Sequence, residues 1–409
     1  MDIFLILLAL ICFFAVVHTY LLYPYTTIAK GTRSSQQGAK ETYAGAQLTI
    51  SSQAGEPWPR VSVLMAVHNE EAVIHQKMDS LIAQEYAGNY RIFVGSDHSS
   101  DATNEILTAY AKQHQNVFFF PFDKRQGKPG IINQLVQKAP PASSNHVYLL
   151  TDASVMLESN VVQELCHPFS QLPDLAMADA RMIHTGMRAE GIGQTEDLYI
   201  SREVKLKQAE GKLWGYTIGP FGGCYALRSD FFRPVPDNFL VDDFFLCLSA
   251  YEAGGRGISV PTALCTEAVG QHLADEFRRK VRISAGNWQN ARRFLALWWP
   301  PNRKLAYAFF SHKILRWLTP FLLLIIGLCL WILATVFNNH SAGWLFLSLL
   351  FLAVVLPLVD VVFTRVLHIN WFPLRALRYF IAMNIALLLG FFRYLKGIRS
   401  NVWQPSKRH

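Results

Sequence analysis

Three short apolar runs of this 409-residue chain end on acids, amides and hydroxyls. Val61–Val67 runs into His68-Asn69-Glu70-Glu71, Ile92–Gly95 into Ser96-Asp97-His98-Ser99-Ser100-Asp101, and Tyr148–Leu150 into Thr151-Asp152-Ala153-Ser154. In open parallel sheets ligands bind beyond the carboxyl ends of the strands, so the three exits are candidates for a single rim. Taken one at a time they also suit turns and helix caps: Asp101 is expected to cap the helix from Ala102, and Glu70 and Glu71 to favour a helix N-terminus. Three in succession point to a site. Two further stretches join them. Asp123-Lys124-Arg125-Gln126-Gly127-Lys128-Pro129-Gly130 is a basic, glycine-containing loop before an expected helix Ile131–Lys138, able either to neutralise phosphate or simply to stay solvated, and it lacks the GxxxxGK[ST] spacing of a P-loop. Phe221-Gly222-Gly223-Cys224-Tyr225-Ala226 offers small residues for a close approach, and Val241-Asp242-Asp243-Phe244-Phe245 sets two carboxylates side by side in an apolar run. Burial and mutual repulsion raise a carboxylate's pKa, which suits a general base.

The elements that must position these residues follow from patterning. Between Arg60 and about Phe294, short β-prone runs alternate with helix-like stretches such as Glu71–Gln84 and Asn104–Gln113, so the expected class is α/β with βαβ units and a largely parallel sheet. On either side the chain is apolar. Ile3–Leu22, Trp317–Phe337 and Gly343–Phe363 are each long enough to cross a bilayer, and Ala376–Leu395 is a third C-terminal stretch with Arg378 and Arg393 near its ends. Asn302–Arg316 alternates Leu305, Phe309, Phe310, Ile314 and Leu315 with basic residues and reads as an amphipathic helix on the membrane surface. Asp360, inside a span, is expected to pair with Arg365. The expected division is therefore an N-terminal span at 1–25, a linker at 26–58, an α/β domain at 59–295, the amphipathic helix at 302–316, two or three spans within 317–395, and a basic tail at 396–409.

Charge is divided the same way. From Phe277 onward there are 18 basic residues against one acid, Asp360, and before it 20 basic against 29 acidic, so a net +8 conceals an acidic domain and a +17 remainder. The basic excess lies in the most apolar third, which fits anionic headgroups rather than nucleic acid. A composition 51% hydrophobic and 17% charged, with mean hydropathy +0.17, argues against an ordinary soluble protein. Six scattered cysteines without a CxxC pair suit a reducing compartment. Lys30, Arg33 and Lys40 after the first span place the following segment in the cytoplasm, whereas one N-terminal and three C-terminal spans place the basic tail outside; either the last stretch does not fully cross or other spans dominate orientation.

From Val61 to about Gly286 the order of motifs resembles the membrane-associated inverting glycosyltransferases of family 2, whose catalytic domain has the GT-A fold, a group that includes synthases of cellulose, hyaluronan, chitin and bacterial exopolysaccharides. Val61–Glu71 is similar to the family's first nucleotide-binding strand and Asn-Glu turn, Ser96–Thr103 to its DDxSxDxT element, and Gly127–Gly130 to its GKxG loop. The resemblance implies that Asn69, Glu70, Asp97, Lys128, Asp152 and Arg282 bind the nucleotide sugar, with Asp97 at the nucleoside base. It further implies that Asp152 holds Mg2+ or Mn2+ as the first residue of the family's DxD, that Gly222, Gly223 and Asp242 lie on the acceptor's side, and that Asp243 is the catalytic base. Ser154 stands where the second DxD carboxylate belongs, leaving Asp152 to share the metal with nucleotide phosphates. In Arg279-Lys280-Val281-Arg282-Ile283, aligned with the QRxRW of processive synthases, Arg279 replaces Gln and Ile283 the acceptor-stacking Trp. Core packing is the expectation for nearby Trp288.

The function implied is transfer from a cytoplasmic nucleotide sugar, UDP-linked by expectation, to a lipid-linked or growing glycan acceptor at the plasma (inner) membrane, in cell-surface or exopolysaccharide synthesis. The expected partners are donor, acceptor and bilayer, with polysaccharide-export partners if the enzyme is a processive synthase and no nucleic acid in either case. A catalytically inactive nucleotide-sugar-binding scaffold is the rival from another class, suggested by Ser154.

Overall fold

The computed structural model describes residues 1–36, 41–43, 46–48, 58–141, 145–185, 192–268, 273–299, 302–369 and 371–401. The β-prone runs form an eight-stranded mixed sheet of β1 (Arg60–Val67), β2 (Tyr90–Asp97), β3 (Val117–Phe122), β4 (His146–Thr151), β5 (Val155–Leu157), β6 (Leu175–Thr185), β7 (Cys224–Arg228) and β8 (Arg256–Ala268), in the order β3-β2-β1-β4-β7-β6-β8-β5. Strands β1 to β4 run parallel, as do β6 and β8, while β7 is antiparallel to both its neighbours and β5 to β8. Order reverses at β1, where β2 lies on one side and β4 on the other, so the exits of these three strands share the crevice that such a switch opens.

Both faces of the sheet are covered, which is why its strands are continuously apolar rather than alternating. In β1, Val61, Val63, Met65 and Val67 face one core with Ile74, Met78 and Leu81 of helix α2 (Ile74–Ile82), Leu107 of α3 (Thr103–Gln113), and Val161 and Leu165 of α5 (Val161–Gln171). Leu64 and Ala66 face the other, with Ile131 and Leu135 of α4 (Gly127–Lys138) and with α7 (Asp242–Glu252). Helix α2 is shorter than the expected Glu71–Gln84 because residues 71–73 form a turn tied to the β2 exit, with Glu71 N–H donating to Asp101. Asp101 does cap the next helix, accepting from Thr103 N–H at 3.1 Å.

The second core reaches beyond residue 295, and here the structure corrects the sequence. Leu305, Phe309, Ile314 and Trp317 are buried in it against Phe244. Arg303–Phe309 is therefore not a separate surface helix lying on lipid. It continues through a π-helical turn, Phe310–Ile314, into the apolar Leu315–Thr335, forming one helix, α9 (Arg303–Thr335), whose first turns complete the α/β domain. Each such large buried side chain contributes about 1.5–3 kcal/mol.

Helix α1 (Asp2–Arg33) likewise runs past the expected boundary at residue 25. Tyr23 is buried, Gly31 lies so close to Ala209 that a Cβ there would stand 2.7 Å from the Ala209 Cβ, and the Thr26 and Thr32 hydroxyls bond back to the carbonyls of Leu22 and Ile28. Tertiary contact with α6 (Ile192–Trp214) thus keeps helical a stretch whose composition resembles a linker. Of the remaining linker, residues 41–43 and 46–48 form a small hairpin and the rest lies outside the described residues.

A buried polar seam locks α1, α6 and α9 together. Glu203 Oε1 takes Lys313 Nζ at 2.6 Å and His312 Nε2 at 2.8 Å, and its Oε2 takes Arg316 at 3.0 Å. Glu210 accepts from Tyr23 Oη at 2.7 Å and from Ile218 N–H, and meets His312 Nδ1 at 2.7 Å. All four carboxylate oxygens are matched. Burial by itself raises the Glu203 pKa, but His312, Lys313 and Arg316 outweigh it and hold the group well below the usual range.

Two more helices, α10 (His340–Thr364) and α11 (Phe372–Leu395), complete a set of four that are long and apolar enough to cross a bilayer, counting α1 and α9. Asp360 pairs with Arg378 of α11 at 2.9 Å; the side chain of Arg365, the partner expected for it, lies outside the described residues. Helix α11 packs along α8 (Leu273–Arg293): Ser284 Oγ donates to the Leu387 carbonyl, and Gly390 leaves the room Ser284 needs. Trp288 packs against Phe321 and Phe391, as expected. The chain then returns to the α/β domain, where Asn238 and Asn401 bond to the carbonyls of Ile398 and Phe239. Residues 396–401 of the basic tail therefore lie on the domain's side, and 402–409 lie outside the described residues.

Candidate active site

At the β1 and β2 exits the side chains are occupied with one another. Asn69, in a left-handed backbone conformation (φ 53°), accepts from Ser100 N–H at 2.8 Å, its own N–H donates to Ser99 Oγ, and Glu70 N–H donates to Thr103 Oγ1. Asp97 is fully buried. Its Oδ1 accepts from Gln126 N–H at 2.6 Å, and its Oδ2 from Gly127 N–H at 3.0 Å and Arg125 Nε at 3.1 Å. In this geometry the Asp97 carboxylate holds the 125–127 turn. Behind it His68 faces the Asp97 carbonyl through Nδ1 and Arg125 through Nε2, and burial first, then Arg125, lowers its pKa.

The same hydrogen bonds explain why α4 begins at Gly127 and not at Ile131. The first N–H groups of a helix have no partner within it, and here the Asp97 carboxylate caps two of them across the fold, while Pro129 needs none. The sequence Gly127-Lys128-Pro129-Gly130 is thus a first helical turn, and it points Lys128 across the cleft. Lys128 Nζ lies 2.7 Å from Asp152 Oδ1 and 3.7 Å from Asp242 Oδ2, and these carboxylates together with Asp243 raise its pKa despite burial. Asp152, Asp242 and Asp243, 90 residues apart in sequence, are gathered around one ammonium.

Asp242 and Asp243 form the first turn of α7, whose N-terminal end favours negative charge. They meet the β4 exit because of the Gly222-Gly223 loop. Gly222 has φ 80°, and a Cβ there would stand 2.2 Å from Asp243 Oδ2; the Gly223 carbonyl accepts from Asp152 N–H at 3.0 Å. The Asp243 carboxyl is pushed up to about 6 by burial and by Asp242, against the pull of Lys128 and the Phe244 N–H. Asp242 Oδ2 is buried without a hydrogen bond among the described residues. Arg282, on α8, donates to the Leu240 carbonyl at 3.0 Å; burial and then Arg279 lower its pKa, and Asp242 and Asp243 oppose that shift.

Four residues that the motif reading passed over support this arrangement. Asp179, fully buried in β6, accepts from Phe221 N–H and pairs with Lys207 at 3.1 Å, and the Lys207 ammonium lies 3.6 Å from the centre of the Phe221 ring, fixing the loop that carries Gly222. Burial pushes the Asp179 carboxyl up and Lys207 opposes it. An acid inside the apolar run Leu175–Met182 was the available signal. Lys77, wholly buried in α2, donates to Thr151 Oγ1 and to the Val155 carbonyl, bracing both ends of the Asp152 turn. Glu267 of β8 accepts from Ser154 Oγ at 2.8 Å.

Comparison with known proteins agrees with this construction. Residues 62–233 match the profile of Glycosyl transferase family 2. The chain is 24% identical to the probable glycosyltransferase YdaM of Bacillus subtilis over 75% of its length and 74% of that protein's. It is 32% identical to the beta-monoglucosyldiacylglycerol synthase of Trichormus variabilis, over 25% of this chain and 22% of that one. Among solved structures it resembles the mannosyltransferase PcManGT from Pyrobaculum calidifontis, in complex with GDP-Man and Mn2+, with TM-score 0.66 and 18% identity over 95% of this chain and 99% of the other. The mostly parallel sheet, the profile match and the gathered carboxylates converge: residues 62–233 match a family 2 glycosyltransferase domain, and the α/β domain has the GT-A fold.

Proposed function

We propose that the protein is an inverting glycosyltransferase of the plasma (inner) membrane, its catalytic domain cytoplasmic, moving a sugar from a UDP-linked donor to a lipid-linked acceptor in cell-surface glycan synthesis. One observation carries the reading: Asp152 and the Asp242-Asp243 pair, distant in sequence, meet around Lys128, so a leaving-group site and a base lie in one cleft. The four apolar helices support attachment to a bilayer. Return of residues 396–401 to the domain gives the basic excess and the catalytic domain the same side, as the positive-inside tendency requires of a cytoplasmic face. The diacylglycerol in one relative's name supports a lipid acceptor, and Ile283 in place of the family's acceptor-stacking Trp favours single transfer over processive polymerisation.

A divalent cation fits the donor set. Asp152 offers a partly exposed carboxylate, the buried Asp242 Oδ2 faces the same position, and both already surround a cation, the Lys128 ammonium. Hard oxygen donors suit Mg2+ or Mn2+. Among the described residues no three His, Cys, Asp or Glu side chains converge to hold a metal unaided, so Asp152 would hold it together with the donor's diphosphate. The cation's chemistry there is to neutralise the departing diphosphate. The chain's own residues do the rest. Lys128 and Arg282 bind phosphate oxygens, and the Asn69–Glu70 turn and the loop held by Asp97 orient the nucleoside. Asp243 takes the proton of the acceptor hydroxyl as its oxygen attacks the anomeric carbon from the face opposite the leaving group, which inverts that centre. Gly222 and Gly223 leave space for the acceptor beside Asp242.

The test is nucleoside diphosphate release by the full-length chain with UDP-glucose, UDP-N-acetylglucosamine and GDP-mannose, each with diacylglycerol or a polyprenyl-phosphate acceptor, and mass analysis of the lipid product. A single added sugar from a UDP donor is expected. Absence of release with every donor and acceptor pair sinks the reading, and a soluble polymer as product replaces the lipid acceptor with a processive synthase.

A further inference from the structure

We propose that Asn401, on the segment that follows the last apolar helix, is a positioning residue for the cleft: it ties the turn that carries Lys128 to the loop that delivers Asp242 and Asp243. The inference rests on the reading of that cleft as the site of transfer and adds to it a residue from the far end of the chain. Helix α11 stops at Leu395, and Gly397, with φ 85° and open space around it, supplies the left-handed residue that commonly ends a helix and turns the chain back. The returning segment is fastened at two points: Asn238 Nδ2 donates to the Ile398 carbonyl at 3.3 Å, and Asn401 Nδ2 donates to the Phe239 carbonyl at 3.3 Å. On its other side Asn401 lies on Gly127, where a Cβ would run into Asn401 Oδ1 and stand 2.8 Å from its Cγ. Asn401 is 7% exposed, so the amide is held between two backbones.

The two backbones it touches are those whose side chains meet in the cleft. Gly127 is followed by Lys128, and Phe239 leads through Leu240 and Val241 into Asp242, whose Oδ2 lies 3.7 Å from Lys128 Nζ. The carbonyls of this loop are held by side chains from elsewhere in the fold: Asn238 by Gln289, Leu240 by Arg282 and Val241 by Asn290, all of α8, and Phe239 by Asn401. Asn133, farther along α4, exchanges two hydrogen bonds with Val235 and fixes the start of the loop. Asn401 supplies the tie to α4 at the end that bears the carboxylates. Its Oδ1 is buried without a hydrogen bond among the described residues, a costly arrangement that the N-terminal end of α4 eases, because a helix favours a negative atom there. A segment that merely anchored the end of the chain would affect stability and leave the turnover of the folded protein unchanged.

The experiment compares the detergent-solubilised full-length wild type with Asn401→Ala, Gly127→Ala and their double variant. Three quantities are read: amide hydrogen exchange, affinity for UDP and GDP in the presence of Mn2+, and turnover with the donors and acceptors named above. Asn401→Ala is expected to lose amide protection in residues 125–130 and 237–244 while strand β1 keeps it. Its turnover is expected to fall about tenfold, with nucleotide affinity within about threefold of wild type. Gly127→Ala, which drives a methyl group into Asn401, is expected to lose more, and the double variant less than the two losses combined, because the clash needs both side chains. Unchanged exchange in both segments of Asn401→Ala overturns the tie. Faster exchange without a loss of turnover, or a loss matched by equal losses of nucleotide affinity and thermal stability, overturns the positioning role. No turnover by the wild type with any donor and acceptor overturns the transfer reading itself, and Asn401's role in it, while the exchange result still decides whether the tie exists.

Discussion

Two clusters of buried charge in this molecule differ in one respect: whether the charges are matched. In the seam between α1, α6 and α9, every oxygen of Glu203 and Glu210 has a partner drawn from His312, Lys313, Arg316, Tyr23 and a backbone amide. In the cleft, Asp152 and Asp242 lie against the Lys128 ammonium, Asp243 acts on it electrostatically, and Asp242 Oδ2 has no hydrogen bond among the described residues. Breaking a matched buried cluster costs stability, so the seam behaves as a joint that fixes the apolar helices to the catalytic domain. An unmatched one is tolerated where a ligand completes it, and its frustrated groups carry displaced pKa values useful in chemistry. Charge balance, more than burial or charge count, separates the structural cluster from the one proposed as catalytic.

Substitutions at the two clusters should therefore fail in different assays. The largest effect is expected for Asp243→Asn, a loss of about 10³-fold in turnover with the folded protein and nucleotide binding retained, measured as diphosphate release beside a thermal melt. Next is Glu203→Gln in the seam, which removes the carboxylate that His312, Lys313 and Arg316 share and should cost on the order of 3 kcal/mol in unfolding free energy. Its surviving folded fraction should turn over normally; a specific loss of turnover would join the two clusters and dissolve the contrast. Gly222→Ala forces a methyl group against Asp243 Oδ2 from a backbone with φ 80°, and a displaced base should cost about 10²-fold in turnover. The pH profile gives a smaller, finer reading. A general base works deprotonated, and the Asp243 carboxyl is pushed up to about 6, so if Asp243 is the base turnover should fall tenfold per unit as pH drops below 6 and level off above it. Lys128→Met removes the cation that pulls this value down, leaving only the Phe244 N–H against burial and Asp242, and should move the acidic limb upward by about one unit, whatever it does to donor affinity.

Much of the fold was readable along the chain. The strands around Val61–Val67, Ile92–Gly95 and His146–Leu150 form where the apolar runs placed them, because a sheet covered on both faces writes a continuous apolar signal. The acidic strand exits share one crevice because strand order reverses at β1. Boundaries were less readable. Leu305, Phe309 and Ile314 form an apolar stripe whether the opposing surface is lipid or protein, and here it is the second core of the domain. Thr26 and Gly31 look like linker residues, yet they remain helical against α6. The turn at Gly127 reads as a loop because its cap, Asp97, comes from another strand.

By itself, the sequence determined the α/β class and the division into an acidic domain and a basic apolar remainder, and it singled out Asp152 and Asp243 as candidates, since local patterning and strand-exit position depend on residues a few places apart. Only the tertiary structure decided what each buried charge faces. It set Asp97 to holding a loop, paired Asp360 with Arg378, placed Asp179 and Lys207 behind the glycine loop, and brought Glu267 to Ser154. The physical reason is that a carboxylate's role is fixed by the cations and donors within a few ångströms of it, and strand pairing draws those partners from positions far away in the chain.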